Sequence, residues 1–366
     1  MMQRLRTLTF ASIIVASLLY YCSNEKESTQ GYSQNQIIEN GWLTLNLNPV
    51  TLVQDRRPPD QTFLTYPEWF LVHSPAEQAN YFTAHTATTF PYMTHINQFW
   101  KSYAIVSHTI EKSFVYNSDY HLMIKVIGVS TTVEYALKAW YETIIGRITD
   151  TSNIEPLTQE DQFNHKFTQE YVNFIRITPW YDFDFQSQLL KLWSNTDLFG
   201  ANFLRKLERK YLLTSELLVK MLYAKLIKLG TQTVYEEAAL TTVVLVDFFP
   251  HYINGSSIKV LNRFNNGTAL LRVPRYAAFN PIAVHLAKEN ISFIEIAGNN
   301  GAILLTLQAA SNSKFNLDNA QVLFEQSIPS DPNIKRIAVI TTVPNLSKTL
   351  HAIMKQGLII EHIYDY

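Results

Sequence analysis

Cysteine is nearly absent from this sequence, because Cys22 is the one cysteine among 366 residues. No disulfide can form within the chain, and no metal site can be built from several thiolates. Glycine is also scarce, with 11 residues, and Gly298 and Gly301 lie between two predicted strands. A dinucleotide-binding loop needs its glycines between a strand and a helix. We therefore predict that the chain binds no cofactor.

An excess of charge of either sign is also missing, since the formal net charge is −1. A surface that attracts nucleic acid requires a basic surplus, so we predict no nucleic-acid partner. Hydrophobic residues make up 47% of the chain and charged residues 17%. This composition allows a sizeable core, and the length favours two domains.

Motifs of the common enzyme classes are missing as well. The ten histidines form no HExxH, no HxH and no pair at i and i+4, so no local motif for a metal is present. There is no Gly-x-Ser-x-Gly elbow, and Cys22 lies in an N-terminal apolar segment where a catalytic thiol is not expected. We predict no metal site, and the sequence leaves open whether the protein is an enzyme.

The N-terminus has the pattern of an export signal. Arg4 and Arg6 precede an apolar run from Leu8 to Tyr21, and a polar stretch follows Cys22. A charged start, a short apolar run and a polar continuation are typical of a secretory signal. The run is shorter than the roughly 20 residues of a membrane-spanning helix.

The position of Cys22 resembles the acylated cysteine of bacterial lipoproteins. Ser23 and the polar residues after it fit that pattern, whereas Tyr20 and Tyr21 stand where the family has small residues. The resemblance implies lipidation of Cys22. An uncleaved signal anchor, a cleaved signal and the absence of export remain alternatives. We predict an exported protein tethered to a membrane of the cell envelope, on the periplasmic or outer surface.

Composition and periodicity divide the chain into four parts. They are a leader at 1–22, a polar tether with a single strand at 23–60, a helical domain at 61–248 and an α+β domain at 249–366. The strand is predicted over Gly41–Val53, where apolar and polar residues alternate. The helices are predicted from near 75 and over 92–113, 120–147, 157–176, 185–195 and 200–229, with a further candidate at 231–242.

The helix at 120–147 is apolar on almost every side, which is typical of a helix in a membrane or at the centre of a bundle. Lys125, Glu134, Lys138 and Glu142 argue against a membrane span. Each central Lys or Asp costs about 2.5–3.5 kcal/mol on the insertion scale. We therefore predict that this helix lies at the centre of a bundle.

The C-terminal region changes to short strands punctuated by turns. Strands at 257–264 and 268–273 flank an Asn-Asn-Gly turn, and strands at 292–297 and 302–307 flank Gly298–Gly301, so two hairpins are predicted. Further predicted elements are strands at 337–343 and 358–364 and a helix at 346–356.

This region also contains a weak internal repeat. Residues 284–295 align with 350–361 at one fixed offset, and each copy follows a Val-Pro pair and reads as strand, helix, strand. Two such copies predict a ferredoxin-like fold, so the fold class is α+β, a helix-rich middle domain followed by a ferredoxin-like domain. Residues 343–364 resemble the helix and strand of ACT-type regulatory domains. In that family a ligand lies near a glycine that is Asn345 here.

Glu134, Lys138 and Glu142 are the leading catalytic candidates. They recur at i, i+4 and i+8 and so share one face of the 120–147 helix. A carboxylate–ammonium–carboxylate row inside a bundle has shifted pKa values and suits acid–base catalysis. The alternative is a polar seam that fixes the register of the helices, or a solvated face.

Three further groups are candidate binding residues. Glu68 and His73 would form a carboxylate–imidazole pair if a turn folds back, or would belong to an aromatic anchor. Trp180 and Tyr181 lie in an aromatic and acidic loop that could stack a sugar or fill an interface. Arg205 and Arg209 belong to a basic amphipathic helix at 202–229, which would lie on anionic lipid or turn a solvated face outward.

Two functions are compatible with these features. The first is a membrane-tethered, non-enzymatic binding module that contacts lipid or a protein partner. The second is an envelope hydrolase or transferase that uses Glu134, Lys138 and Glu142 beside Trp140, Trp180 or Tyr181. An open cleft at Glu134 and Glu142 would favour the enzyme, whereas closed ion pairs would favour the binding module.

Overall fold

The computed structural model describes residues 49–364 except 59, 112, 153–156, 235–239 and 251–256, and it describes no side chain of 229–234. The predicted leader, the tether, Cys22 and most of the predicted strand at Gly41–Val53 lie outside these residues. The described end of that prediction, residues 49–53, is not part of a strand, and Val53 begins a 3-10 turn, Val53–Asp55.

The helical region contains helices α1 to α8. Their bounds are Gln61–Glu68 (α1), Phe70–Tyr81 (α2), Tyr92–Ile110 (α3), Ser118–Tyr141 (α4), Arg147–Thr149 (α5), Gln159–Ile175 (α6), Phe185–Asn195 (α7) and Phe203–Val234 (α8). A π-helical turn, Glu142–Gly146, joins α4 to α5. Among the described residues, no helix has both the length and the apolar character that a membrane crossing requires.

Side-chain caps explain where several of these helices begin. Asn117 accepts a hydrogen bond from the backbone N–H of Tyr120 at the start of α4. Thr158 accepts one from the backbone N–H of Asp161 at the start of α6. Such caps satisfy backbone donors that the first helical turn leaves free. The prediction of a helix start near 75 is wrong, because α2 begins at Phe70 and contains Pro75.

Helix α4 lies at the surface, so the prediction that it occupies the centre of a bundle is wrong. One face is buried through Ile124, Gly128 and Tyr135. A Cβ atom at Gly128 would lie 2.3 Å from the ring of Phe99 on α3, so only glycine permits this close crossing. The opposite face is exposed, with Trp140 exposed to 62%.

The C-terminal region is built from two antiparallel four-stranded sheets. The first has the order β2-β3-β1-β4 and the second β6-β7-β5-β8. The first sheet consists of Thr241–Val246 (β1), Lys259–Arg263 (β2), Ala269–Pro274 (β3) and Phe293–Ile296 (β4). The second consists of Ala302–Ala310 (β5), Gln321–Ile328 (β6), Asp331–Thr342 (β7) and Ile359–Ile363 (β8).

The two sheets repeat one topology. In each, the third strand leads through a helix to the fourth strand, and the first strand lies between them. The helices are Phe279–Lys288 (α9) and Leu346–Lys355 (α10). The two helices pack against each other, and the apolar faces of both sheets join them in one core. The strand–helix–strand copies read from the sequence repeat thus lie in separate sheets.

Two predictions about strands are corrected by this topology, and one strand was missed. Residues 241–242, placed in a candidate helix, begin β1, which pairs with β3 and β4. The segment Gly298–Gly301 joins the two sheets rather than forming a hairpin, since β4 pairs with β1 and β5 pairs with β7 and β8. Strand β6 was not predicted. The hairpin of β2 and β3 is confirmed.

The helical region packs on the outer face of the second sheet. Phe63, Leu64 and Phe99 share a core with Leu304 and Ile340 of the sheet. Thr62 completes the contact, because its hydroxyl donates to the carbonyl of Tyr364 at 2.9 Å and accepts from the backbone N–H of Leu304 at 3.0 Å. This docking brings polar side chains of α2 against β7 and β8.

The segment that precedes the helices is attached to the first sheet. The buried carboxylate of Glu295 on β4 accepts hydrogen bonds from the backbone N–H groups of Val50 and Thr51 at 2.8 and 3.0 Å. The backbone N–H of Arg57 donates to the carbonyl of Ala297 at 3.0 Å. In the sequence repeat, Glu295 corresponds to Glu361 of the second sheet.

Candidate functional site

Two of the predicted catalytic residues belong to a closed ring of four charges between α4 and α8. The ammonium of Lys138 lies 3.0 Å from the carboxylate of Glu134 and 2.9 Å from that of Glu216. The ammonium of Lys220 lies 3.5 Å from Glu134 and 3.4 Å from Glu216. Each cation therefore touches both anions. Residue numbers rise along α4 as they fall along α8, so the helices are antiparallel here.

The ring holds its members in their charged forms. Burial raises the pKa of Glu134, but Lys220 and Lys138 outweigh it and lower that pKa to about 2. Burial likewise opposes the charge on Lys138, while Glu216 and Glu134 raise its pKa well above the usual value. A general acid or base works best with a pKa near the operating pH. Neither residue meets this requirement.

The ring forms one wall of an open pocket of about 530 Å³. The remaining walls include the rings of Phe70, Tyr135, Phe167 and Tyr171. Both carboxylates use Oε1 in the ring contacts that bind the lysines. Their second oxygens remain able to accept hydrogen bonds from a molecule in the pocket.

A second, smaller space continues from this pocket toward Glu142 and Arg209. It measures about 350 Å³ and shares Gln78, Lys138 and Glu216 with the first pocket. Together they form a groove through the middle of the helical region, between α2, α4, α6 and α8. Sites for ligands in helical proteins are commonly built from inward side chains on such facing helices.

Glu142, the third member of the predicted catalytic row, is separate from the ring. Its carboxylate accepts hydrogen bonds from Arg209 at 2.7 and 3.1 Å and from the hydroxyl of Thr88 at 3.0 Å. Glu142 is 2% exposed. The π-helical turn begins at this residue and directs it inward. Glu134 and Lys138 thus belong to the ring beside the open pocket, whereas Glu142 belongs to an enclosed ion pair.

Arg205 and Arg209 are buried rather than displayed to solvent. Each is 1% exposed. Arg205 binds Asp161 at 2.8 Å, and Arg209 binds Glu142 and Glu208. These two arginines therefore add no charge to the surface of the basic helix predicted at 202–229. Their side chains have no access to a lipid surface.

The predicted pair of Glu68 and His73 is replaced by two other contacts. The hydroxyl of Tyr120 donates to Glu68 at 2.5 Å. His73 lies 3.5 Å from Glu361 and 3.0 Å from the hydroxyl of Tyr364. His73 therefore meets a carboxylate that is 288 positions away in the chain. No local pattern in the sequence indicates this partner.

Arg336 was not predicted, yet it is the centre of a buried polar network between α2 and the second sheet. Its guanidinium makes two hydrogen bonds to Glu361 at 2.6 and 2.7 Å and a contact of 3.0 Å with Glu77. Burial raises the pKa of Glu77 to about 7. Burial also opposes ionisation of Glu361, but Arg336 and His73 lower its pKa far below the usual value.

Ser74, His95 and Glu77 contact one another in the order serine, histidine, carboxylate, as in a hydrolase triad, but they share no other property with one. The hydroxyl of Ser74 lies 2.9 Å from Nδ1 of His95, and Nε2 of His95 lies 3.4 Å from Glu77. The Ser74 hydroxyl is also within 2.7 Å of the Tyr135 hydroxyl, and Ser74 is 1% exposed. A nucleophile needs access to its substrate. This group is closed, and it links the network of Arg336 to the pocket wall.

Trp180 and Tyr181 fill the junction of two cores. Trp180 packs against the core of the second sheet and against the core of α6, α7 and α8. Its ring centroid lies 5.2 Å from that of Tyr223 on α8. Tyr181 packs beside it. Of the two alternatives for this loop, stacking a sugar or filling an interface, these contacts fit the second.

No protein-family model matches the chain, and no curated protein and no solved structure matches it.

Proposed function

We propose that this chain is an exported, membrane-tethered binding protein of the cell envelope, without catalytic activity of its own. Its ligand would enter the pocket between α2, α4, α6 and α8. The observation that carries this proposal is the closed ring of Glu134, Lys138, Glu216 and Lys220 beside aromatic walls. Paired charges can hold and orient a ligand, whereas a general acid or base works best with a pKa near the operating pH.

The chemistry of the walls favours a small ligand that donates hydrogen bonds and has a flat apolar face. The second oxygens of Glu134 and Glu216 are acceptors, and the half-buried rings of Phe70 and Tyr171 offer apolar surface in the pocket. A polyol, a sugar or an amine has this combination of groups. We also propose that each βββαβ unit is a ferredoxin-like arrangement with one helix fewer.

The alternative function is an envelope hydrolase or transferase that uses the same pocket. Glu134 and Lys138 favour it, because both line the open space beside the hydroxyl of Tyr135. Glu142 does not, because it is held by Arg209. An enzyme of this kind would lose turnover in Glu134→Gln, and a binding protein would show none to lose.

The tether is tested by labelling cells with a fatty-acid analogue. We expect the full chain to carry the label and to sediment with membranes, and Cys22→Ser to lose the label, because Cys22 is the one thiol available for acylation. A chain that sediments without the label in both forms has an uncleaved anchor. A full-length chain that is soluble in the cytosol with its leader intact contradicts the proposal.

The pocket is tested by thermal unfolding of the purified chain against a panel of polyols, sugars and amines. A ligand at 100 times its Kd stabilises the folded state by about 2.7 kcal/mol. We expect the binder to raise the Tm of the wild type and of Lys225→Met, whose lysine is exposed on α8. Glu134→Gln should lose the rise. An equal rise in Glu134→Gln would place the ligand elsewhere.

A further inference from the structure

A row of large apolar side chains runs along the exposed face of α4 and the turn after it. Neighbouring members are three or four residues apart, so the row follows the helix axis. It extends for roughly 40 Å at 1.5 Å per residue. Each member is more than a third exposed: Leu122, Val126, Val129, Val133, Leu137, Trp140, Ile144 and Ile148.

A second exposed row runs along α8. Its members are Leu204, Tyr211, Leu218 and Leu222, with Leu207, Val219 and Leu226 beside them. The residues of α8 that pair with α4, such as Arg209 and Glu216, lie roughly 120° around the helix at 100° per residue. The same angle separates the row of α4 from Glu134 and Lys138. Both rows therefore face outward, side by side on two antiparallel helices.

The exposed charges beside these rows include cations, which would attract the anionic headgroups of a lipid bilayer. Among the described side chains of α8, both acids, Glu208 and Glu216, are held in ion pairs. Lys225 on α8 and Arg147 on α5 are exposed. The rows also contain Trp140 and Tyr211, residue types that are enriched at membrane–water interfaces.

The length of chain between the N-terminal apolar run and the described residues limits how far the two rows can lie from a membrane that holds this run. Residues 23–48 separate the apolar run that ends at Tyr21 from the first described residue. Twenty-six residues span at most roughly 90 Å when extended, at about 3.3–3.6 Å per residue. A chain anchored by that run keeps the two rows within reach of the bilayer that holds it.

We propose that the exposed rows of α4 and α8 lie on the surface of the lipid bilayer to which the chain is tethered. This inference rests on the proposed tethering and adds a second contact with the membrane. Helices that lie on a bilayer bury an apolar face about 5–10 Å deep between headgroups and acyl chains. The contact would fix the orientation of the pocket relative to the membrane.

The test uses the full chain, with its own anchor, in vesicles of phosphatidylcholine and phosphatidylglycerol with brominated acyl chains. Bromine quenches the fluorescence of tryptophans that touch the lipid. We expect quenching in the wild type and its loss in Trp140→Phe, which removes the one tryptophan of the rows. Leu137→Glu should also lose it, whereas Ile359→Glu, at an exposed position on β8, should keep it.

The outcomes separate the two proposals. A wild-type chain that does not sediment with the vesicles contradicts the tether itself. Sedimentation with equal quenching in the wild type and Trp140→Phe overturns the lipid contact alone. Dimerisation that depends on concentration and is abolished by Leu137→Glu would assign the rows to a second copy of the chain and would also overturn it.

Discussion

Replacing Arg336 by methionine should produce the largest loss of stability in the C-terminal half of the protein. The substitution leaves Glu361 and Glu77 buried and close to one another without a cation between them. Removing one partner of a buried pair costs about 3–5 kcal/mol in the free energy of unfolding. The measurement is denaturant unfolding of the full chain at pH 7.

The stability of this variant should rise more steeply than that of the wild type as pH falls from 7 toward 4.5. In the wild type, Glu77 and His95 act in opposite directions. Burial raises the pKa of Glu77 to about 7, which favours the folded state as pH falls from 7 toward 4.5. Burial and Arg336 lower the pKa of His95 to about 3, so stability is lost as pH falls from about 6.5 toward 3. In Arg336→Met, both carboxyl pKa values are raised above the unfolded value. Their protonation then relieves the repulsion, and stability rises as pH falls from 7 toward 4.5.

Arg272→Met is the matched control for this prediction. Arg272 also pairs with a carboxylate, at 3.4 Å from Asp55, but its side chain is 38% exposed. Exposed pairs contribute about 0–1 kcal/mol. A similar loss in both variants, or a loss in Arg336→Met that does not shrink at low pH, would show that the buried charges do not determine the stability of this network.

Replacing Arg209 by methionine should have a comparable effect in the helical region. The variant leaves Glu142 buried without a cation and leaves Glu208 with Arg205 alone, at 3.4 Å. We expect a loss of about 3–5 kcal/mol at pH 7. Adding Glu142→Gln should recover part of it, because the second substitution removes the carboxylate that Arg209 no longer neutralises.

Lys225→Met provides the comparison on the same helix. Lys225 is exposed, and surface substitutions usually change stability by less than about 0.5 kcal/mol. Denaturant unfolding of the three variants gives the differences directly. A double variant that is no more stable than Arg209→Met would show that Glu208 alone accounts for the loss.

Local features of the fold could be predicted from the sequence because their causes are local. Helix α7 was predicted with its observed bounds, Phe185–Asn195. The turn at Asn265–Gly267 identified the hairpin of β2 and β3 because it needs a residue with positive φ, which Gly267 supplies. Strand β1 could also have been found, since five of the six residues of Thr241–Val246 are β-branched.

The arrangement of the two sheets and of the polar networks could not be predicted in this way. Each strand–helix–strand copy has one apolar helix face and one apolar sheet face. The same pattern is expected when the two copies share one sheet and when they form two sheets that face each other across a core, so it does not distinguish the two arrangements. Arg336 and Glu77 are 259 positions apart. Their contact depends on how α2 docks on β7, which no local pattern in either segment specifies.

In the candidate site, too, local features could be predicted and long-range contacts could not. The spacing of Glu134, Lys138 and Glu142 predicts one shared helix face, and Glu134 and Lys138 do lie together on α4, whereas Glu142 begins the π-helical turn. Their partners Glu216, Lys220 and Arg209 come from α8. Because those partners were unknown, the sequence could not show that two of the three residues face an open pocket and the third is enclosed.

The attachment of residues 50–57 to the first sheet determines how the protein would carry mechanical load. Tension applied from the N-terminal side reaches the hydrogen bonds of Glu295 and Ala297 on the first sheet before it reaches α1. Those bonds would bear the strain while the helices and their pocket remain unstressed. Tension from that side would thus leave the geometry of the pocket unchanged.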